Sequence, residues 1–288
     1  MKVGLILPLG DEPRPGVPAS YAELLAMVRQ AEAGGLDSLW VYDHLISVSP
    51  DGAVEGTWEA WTTLAALAAA TNRVTLGTMV SCTGFRHPAV TAKAAHTVAE
   101  ISADRLVLGL GAGWHEPEYE AFGFPFDHRV DRFEESLRIT ASLLRDGRAT
   151  FAGRYYQVKD APLLPVRSSS AVPPILIGCG GGARMLGLVA RHADAWNTAW
   201  YGLPGPKFRE RRDALFAACA EHGREPASVE VTVGMLIGGS SEVPAVATGI
   251  AEALAAWRDE GVAHVIAYPD PTDTPSVAAL IDGYAHLR

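Results

Sequence analysis

The chain has 288 residues, 48% of them hydrophobic and 20% charged, enough to bury a substantial core in one large domain or two ordinary ones. A formal charge of −9 leaves no basic surface for nucleic acid or anionic lipid, whose binding needs clustered Lys and Arg. Cys82, Cys179 and Cys219 are odd in number and far apart, so they fit neither a disulfide framework nor a zinc site, and they point to a reducing compartment.

The opening MKVGLILPLGDEP carries one Lys and an apolar run broken at Pro8. That is too brief for a signal segment, and no later run reaches the ~18 apolar residues of a membrane span, so a cytoplasmic chain with no membrane partner is expected. From residue 3 onward, short aliphatic or β-branched runs alternate with Ala-rich segments of helical period. Strands are expected at 3–9, 38–44, 74–82, 105–113, 174–180, 195–200, 229–237 and 264–270. Between and after them, helices are expected at YAELLAMVRQAEAGG, WEAWTTLAALAAATN, PAVTAKAAHTVAEIS, RFEESLRITASLLRDG, GARMLGLVARHA, FRERRDALFAACAEHG, PAVATGIAEALAAWRDEG and SVAALIDGYAHL. Eight strands each followed by a helix predict an α/β fold, a (β/α)8 TIM barrel, as a single domain over 1–288. An insertion between strand 4 and strand 5, residues 114 to about 173, is expected to hold a helix and a hairpin at TFAGRYYQVKD.

Barrel chemistry gathers at the C-terminal ends of the strands, so the exits are the places to search. Exit two carries Asp43 and His44: either Asp43 caps the following turn and His44 is an interior histidine, or His44 is a proton donor or acceptor. Exit three, VTLGTMVSCTGFRHP, is either a bulge that brings backbone against a flat ligand or an ordinary strand end. Exit four, LGLGAGW, has Trp114 where a dinucleotide fingerprint needs glycine. At exit five, Gly180, Gly181 and Gly182 lead straight into a helix with Arg184 in its first turn, which suits an anion such as phosphate. Exit six places Trp196 and Trp200 near the mouth, either as walls for a planar ligand or as core. Asp11, Gly238 and Asp270 at the other exits are not diagnostic.

Residue supply removes several barrel chemistries. No Lys stands on a strand end for a Schiff base, no two His lie within four residues of each other to start a metal site, and paired Glu for glycoside hydrolysis are missing. One His, an anion-binding Gly loop and aromatic walls remain, a set suited to a planar, phosphate-bearing cofactor and a single proton shuttle.

Ordered motifs along almost the whole length, among them AEAGGLDSLWVYDHL, RHPAVTAKAAHTVAEISADRLVLGLGAGW, YEAFGFPF and PPILIGCGGGARMLGLVARHADAWN, resemble the luciferase-like monooxygenase superfamily, above all its coenzyme F420-dependent oxidoreductases. The resemblance implies that His44 is the catalytic histidine beside the redox carbon and that Asp43 contacts the cofactor. It places Met79 and Val80 at a non-prolyl cis peptide backing the central ring, and Cys82 and Ala112 along the cofactor. The backbone of Gly180, Gly181, Gly182, Ala183, Arg184 and Met185 would hold the phosphate. It further implies F420 as cofactor, with FMN as the alternative, and hydride transfer to or from a small-molecule substrate. The anionic F420 tail would lie near Arg184 and either Arg86 or Arg154, the insertion would cover the site, and a homodimer would form through the second and third helices. Trp114 replaces the glutamate of the family's sugar-phosphate dehydrogenases, which argues against a sugar phosphate. An FMN-dependent monooxygenase and a non-catalytic cofactor-binding protein are the competing expectations.

Overall fold

Because aliphatic runs flanked on both faces by apolar neighbours can only be satisfied inside a covered parallel sheet, these segments pair side by side rather than as hairpins. The computed structural model describes residues 1–10, 13–14, 17–49 and 52–287; Asp11 lies outside them. The barrel strands are β1 (Lys2–Ile6), β2 (Ser38–Val41), β3 (Thr75–Thr78), β4 (Leu106–Gly111), β5 (Ile175–Gly178), β6 (Ala195–Tyr201), β7 (Glu230–Gly238) and β8 (His264–Asp270). Each is parallel to the next, and β8 pairs with β1 (Lys2 with His264, Val3 with Val265), so the sheet closes.

The helices are α1 (Tyr21–Ala33), α2 (Ala60–Ala70), α3 (Pro88–Ile101), α4 (Glu116–Phe122), α5 (Arg129–Asp146), α6 (Ala183–His192), α7 (Pro206–Glu221), α8 (Ala247–Asp259) and α9 (Thr274–Ala285). α1 starts at a capping box in which Ser20 and Glu23 bond each other's backbone N–H. α3 starts with Pro88 where a missing N–H costs nothing, and α5 ends on Gly147 at φ 71°. The segment between β4 and β5 holds two helices, α4 and α5, where one was expected, and a hairpin of Arg148–Ala152 with Gln157–Pro162. Several strands end earlier than their apolar runs. Leu7 and Leu9 are fully buried yet lie beyond the last ladder pair of β1, because burial continues where strand pairing stops.

Apolar side chains form one large core between sheet and helices and a smaller one inside the barrel, with Ile6, Trp40, Met79, Leu176, Ala195 and Ile266. Trp40 fits inside only because its neighbours are glycines. A Cβ on Gly77 would lie 2.3 Å from the Trp40 ring, and one on Gly4 2.8 Å from its Nε1. Below it, Trp40 Nε1 donates to Ser38 Oγ (2.7 Å), which is 2.8 Å from His264 Nε2. Burial first, then the nearby Lys2 charge, pushes the His264 pKa down to about 3, so this floor histidine is neutral.

Candidate active site

Between β3 and β4 the pairing runs from Gly77 with Val107 to Ser81 with Leu110, so four positions on one strand span three on the other. That extra residue is a bulge. It falls at Met79 and Val80, whose peptide bond is cis, the geometry the resemblance implied there. The half-buried Val80 side chain lies over the neighbouring strands: a Cβ would meet it at 2.4 Å on Gly111 and 2.8 Å on Gly178. Glycine at both positions is what admits the bulge.

Asp43 pins the bulge from below. Its buried carboxylate accepts from Ser81 Oγ (3.0 Å), the Cys82 N–H (3.0 Å) and both terminal nitrogens of Arg86 (2.5 and 3.0 Å). Arg86 also donates to Glu59 at 2.5 Å, so its charge is committed to two carboxylates. Cys82 is 6% exposed, and burial pushes its thiol up to about 12, which leaves it a neutral wall rather than a nucleophile. Its Sγ meets Tyr119 Oη at 2.9 Å, and Tyr119 donates to the carbonyl of the half-buried Ala112.

His44 is half-exposed, and its Nδ1 lies 3.0 Å from Glu118 Oε1. Glu118, on α4, is 1% exposed, and its other oxygen accepts the Leu45 N–H at 3.0 Å. A carboxylate at Glu118 only accepts, so in the neutral form of the imidazole this contact puts the hydrogen on Nδ1 and the lone pair on Nε2, facing a reacting group. Trp114 and Tyr42 flank the ring, with centroids 5.6 and 6.0 Å away. Glu118 was not foreseen. The departure at Trp114 had drawn attention to a missing glutamate, and the structure supplies a carboxylate from four residues further along.

At β5 the chain runs through Gly180 and Gly181 (φ 106°) to Gly182, which caps α6 without a side chain. The N–H groups of this first turn have no acceptor within the helix, which makes it receptive to an anion. Gly180, Gly182, Ala183 and Arg184 are exposed and Met185 half-buried. The Arg184 guanidinium, expected to add charge here, is bound instead by Asp131 and Glu134 of α5. Arg211 of α7 takes its place: its Nη2 would lie 3.4 Å from a Cβ on Gly180. It donates to Thr198 Oγ1 (3.0 Å) and Tyr201 Oη (2.8 Å), and among the described residues no carboxylate lies within ion-pair distance of it. Arg154 sits apart on the hairpin, its N–H bound to Glu135 and its guanidinium over Tyr155. It lines a cleft of about 750 Å³ with Asp131, Arg138 and Arg184 that does not include His44.

The two expected tryptophan walls divide. Trp196 is fully buried in the helix-side core, whereas Trp200 is 42% exposed and pairs with Tyr268 at 5.6 Å. β6 pairs Thr198 with Val233 and then Tyr201 with Met235, three positions against two, and this second irregularity turns Trp200 to the opposite face.

The family model described as luciferase-like monooxygenase matches residues 1–269. The chain belongs to the luciferase-like monooxygenase family. Among its relatives in that family is a phthiodiolone/phenolphthiodiolone dimycocerosates ketoreductase of a Mycobacterium species, 32% identical over 77% of this chain and 63% of that protein. The F420-dependent glucose-6-phosphate dehydrogenase of Mycobacterium avium is 34% identical over 69% of this chain and 58% of its own length. Pyrimidine monooxygenase RutA of Agrobacterium fabrum is 30% identical over 81% and 67%. The chain thus spans less than two thirds of the ketoreductase and of the dehydrogenase. Among solved structures, an F420-dependent secondary alcohol dehydrogenase in complex with an F420-acetone adduct superposes with a TM-score of 0.83 at 17% identity, covering 100% of this chain and 99% of that one. At that identity the likeness establishes the barrel fold of this luciferase-like chain.

Proposed function

We propose that this chain, as one domain, is an F420-dependent oxidoreductase in which His44 moves the proton that accompanies hydride transfer to or from a small organic substrate. The observation that carries this is the His44 Nδ1 to Glu118 Oε1 contact of 3.0 Å, which fixes one tautomer at the mouth of the barrel.

The residues present fit a tricyclic, phosphate-bearing cofactor: a helix N-terminus with no side-chain cap, the Arg211 guanidinium held by the Thr198 and Tyr201 hydroxyls, and a bulge whose half-buried Val80 is available to back a ring. When bound, a deazaflavin supplies a carbon that gives or takes hydride. The backbone of Gly180–Met185 and Arg211 would hold the phosphate. Met79, Val80, Cys82 and Ala112 would line the ring, and Asp43 would keep the bulge in place through Ser81, Cys82 and Arg86. His44 Nε2 takes the hydroxyl proton of an alcohol, or returns one to a carbonyl oxygen. Glu118 stabilises the imidazolium that results. α4 and Trp114 limit the access of water to that proton transfer.

FMN-dependent oxygenation is the second reading, favoured by the relationship to a pyrimidine monooxygenase and by a bulge and loop that suit either ring system. Titrating the purified apoprotein with each cofactor, at low and moderate salt, separates the two. Micromolar or tighter F420 binding without comparable FMN binding supports the proposal. The reverse preference, with oxygen-dependent turnover of reduced FMN, replaces it. We further propose a homodimer through α2 and α3, the second of which exposes Val90 and Ile101; a monomer in light scattering at micromolar concentration would remove that expectation.

A further inference from the structure

A second imidazole stands beside His44. His115 is 9% exposed, and its ring packs edge-on against those of Trp114 and His44, with centroids 5.1 and 6.2 Å away. Its Nε2 lies 3.1 Å from the backbone nitrogen of Val48. A backbone N–H can only donate, so in the neutral ring this contact puts the lone pair on Nε2 and the hydrogen on Nδ1. The residue before a helix commonly turns its side chain back to cap the first turn. His115 holds that place ahead of α4 and makes no such bond; its acceptor is turned to a different segment.

That segment carries His44. From there the chain enters a short antiparallel ladder, Ile46–Val48 against Val54–Gly56, whose first strand packs against α4. Two side chains take its backbone N–H groups three positions apart: Glu118 accepts from Leu45 at 3.0 Å and His115 from Val48 at 3.1 Å. Beyond the second strand, Thr57 Oγ1 donates to the His44 carbonyl at 2.5 Å, so the ladder closes back on His44 itself. Val54, Glu55 and Gly56 are exposed. A two-stranded ladder with one face open to water has little packing to fix its position, which leaves these few bonds to set it. Glu118 divides its two oxygens between His44 Nδ1 and the Leu45 N–H, so a shift of this segment disturbs both contacts together.

We infer that His115 is a positioning residue for His44: by accepting the Val48 N–H it locks the segment that leaves β2 onto α4, and so keeps Leu45 and His44 together on the Glu118 carboxylate. It acts through His44 and Glu118 rather than on a substrate. This rests on the proposed function only in taking His44 as the reacting group.

The test compares His115→Leu, which fills the space without an acceptor, with His115→Gln, whose amide oxygen reaches about as far as Nε2. His115→Asn, whose oxygen falls short, is a second loss variant should His115→Leu not fold. Amide hydrogen exchange at Val48 and Leu45 is read first, on the full chain with no cofactor or substrate. Leaving the Val48 N–H without its acceptor should speed its exchange by roughly 5- to 150-fold, and Leu45 should follow in the same direction. In His115→Gln both should return to within about threefold of the parent. Turnover is read second, as reoxidation of reduced F420 by acetophenone. In His115→Leu kcat should fall by roughly 10- to 100-fold, the effect of a misplacement of about 1 Å, with KM and cofactor affinity within about twofold, and His115→Gln should recover most of it. Unchanged exchange at Val48 in the loss variants overturns the inference. So does faster exchange at Val48 with Leu45 unmoved, or a His115→Gln that behaves like His115→Leu. If exchange responds as expected while His44→Ala turns over like the parent, the lock stands and the proposed function is what fails.

Discussion

Glu118→Gln perturbs the site with little change of shape. The carboxylate is 1% exposed and makes two bonds at 3.0 Å, to His44 Nδ1 and to the Leu45 N–H. A glutamine can keep its oxygen on Leu45 only by turning its NH₂ toward His44, which forces the hydrogen from Nδ1 to Nε2. The reacting nitrogen then faces the substrate as a donor in the state that needs an acceptor, and the charge that stabilised the imidazolium is gone. A hydrogen bond to a charged group contributes about 1.5–3 kcal/mol. Lost from the transition state alone, that slows kcat by roughly 10- to 150-fold. Cofactor affinity, measured by fluorescence titration, should stay within about twofold, since no cofactor contact is assigned to Glu118. The decisive assay is the double variant. If Glu118 acts through His44, Glu118→Gln should add nothing to His44→Ala, itself slowed by ~10²- to 10⁴-fold. The same fractional loss in both backgrounds would refute the coupling.

Arg211→Ala should weaken binding of F420 or inorganic phosphate by roughly 10- to 150-fold, whereas Arg184→Ala, whose charge Asp131 and Glu134 already hold, should cost under about threefold; calorimetric titration giving equal losses would reverse the assignment. Gly111→Ala drives a Cβ to 2.4 Å from Val80 and should lower stability by about 1–3 kcal/mol in urea denaturation, while Gly56→Ala, with nothing within 4 Å, should be near neutral. His264, held neutral by burial with a pKa of about 3, binds a proton readily only when unfolded, so stability falls as pH drops below the unfolded value near 6.5. Between pH 6.5 and 5 that single group costs roughly 2 kcal/mol, and His264→Gln should flatten the acid limb by that amount, Lys2, Asp37 and Glu230 being unchanged neighbours; parallel pH curves would argue against it.

Much of the frame was legible because barrel strands are apolar on both faces and stand between helices of clear period. The eight runs, the closure they imply and His44 at a strand exit could be read from one sequence, whereas the residues of exit three left a bulge and an ordinary strand end open and only the family resemblance placed it at Met79 and Val80. The parts that could not be read share a cause. α4 has seven residues, two turns, too short for helical period to show, and it carries Glu118, 74 positions away from the His44 it touches. Arg211 lies in FRERRDALF, a string of charges that looks like a solvated helix face, and only barrel closure brings it under Gly180. Trp196 and Trp200, four apart in a strand, should share a face by simple alternation. One extra residue in β6 separates them, and nothing local in AWNTAW announces it.

In the proposed reaction His44 supplies or receives the proton while hydride passes to or from a deazaflavin. Single-turnover mixing of the chain, loaded anaerobically with reduced F420, against acetophenone tests it most directly, with return of the oxidised deazaflavin absorbance as the signal. Stoichiometric reoxidation without oxygen is expected, slowed by ~10²- to 10⁴-fold in His44→Ala at saturating cofactor. Reoxidation at the same rate in that variant, or only when oxygen is admitted, would contradict it.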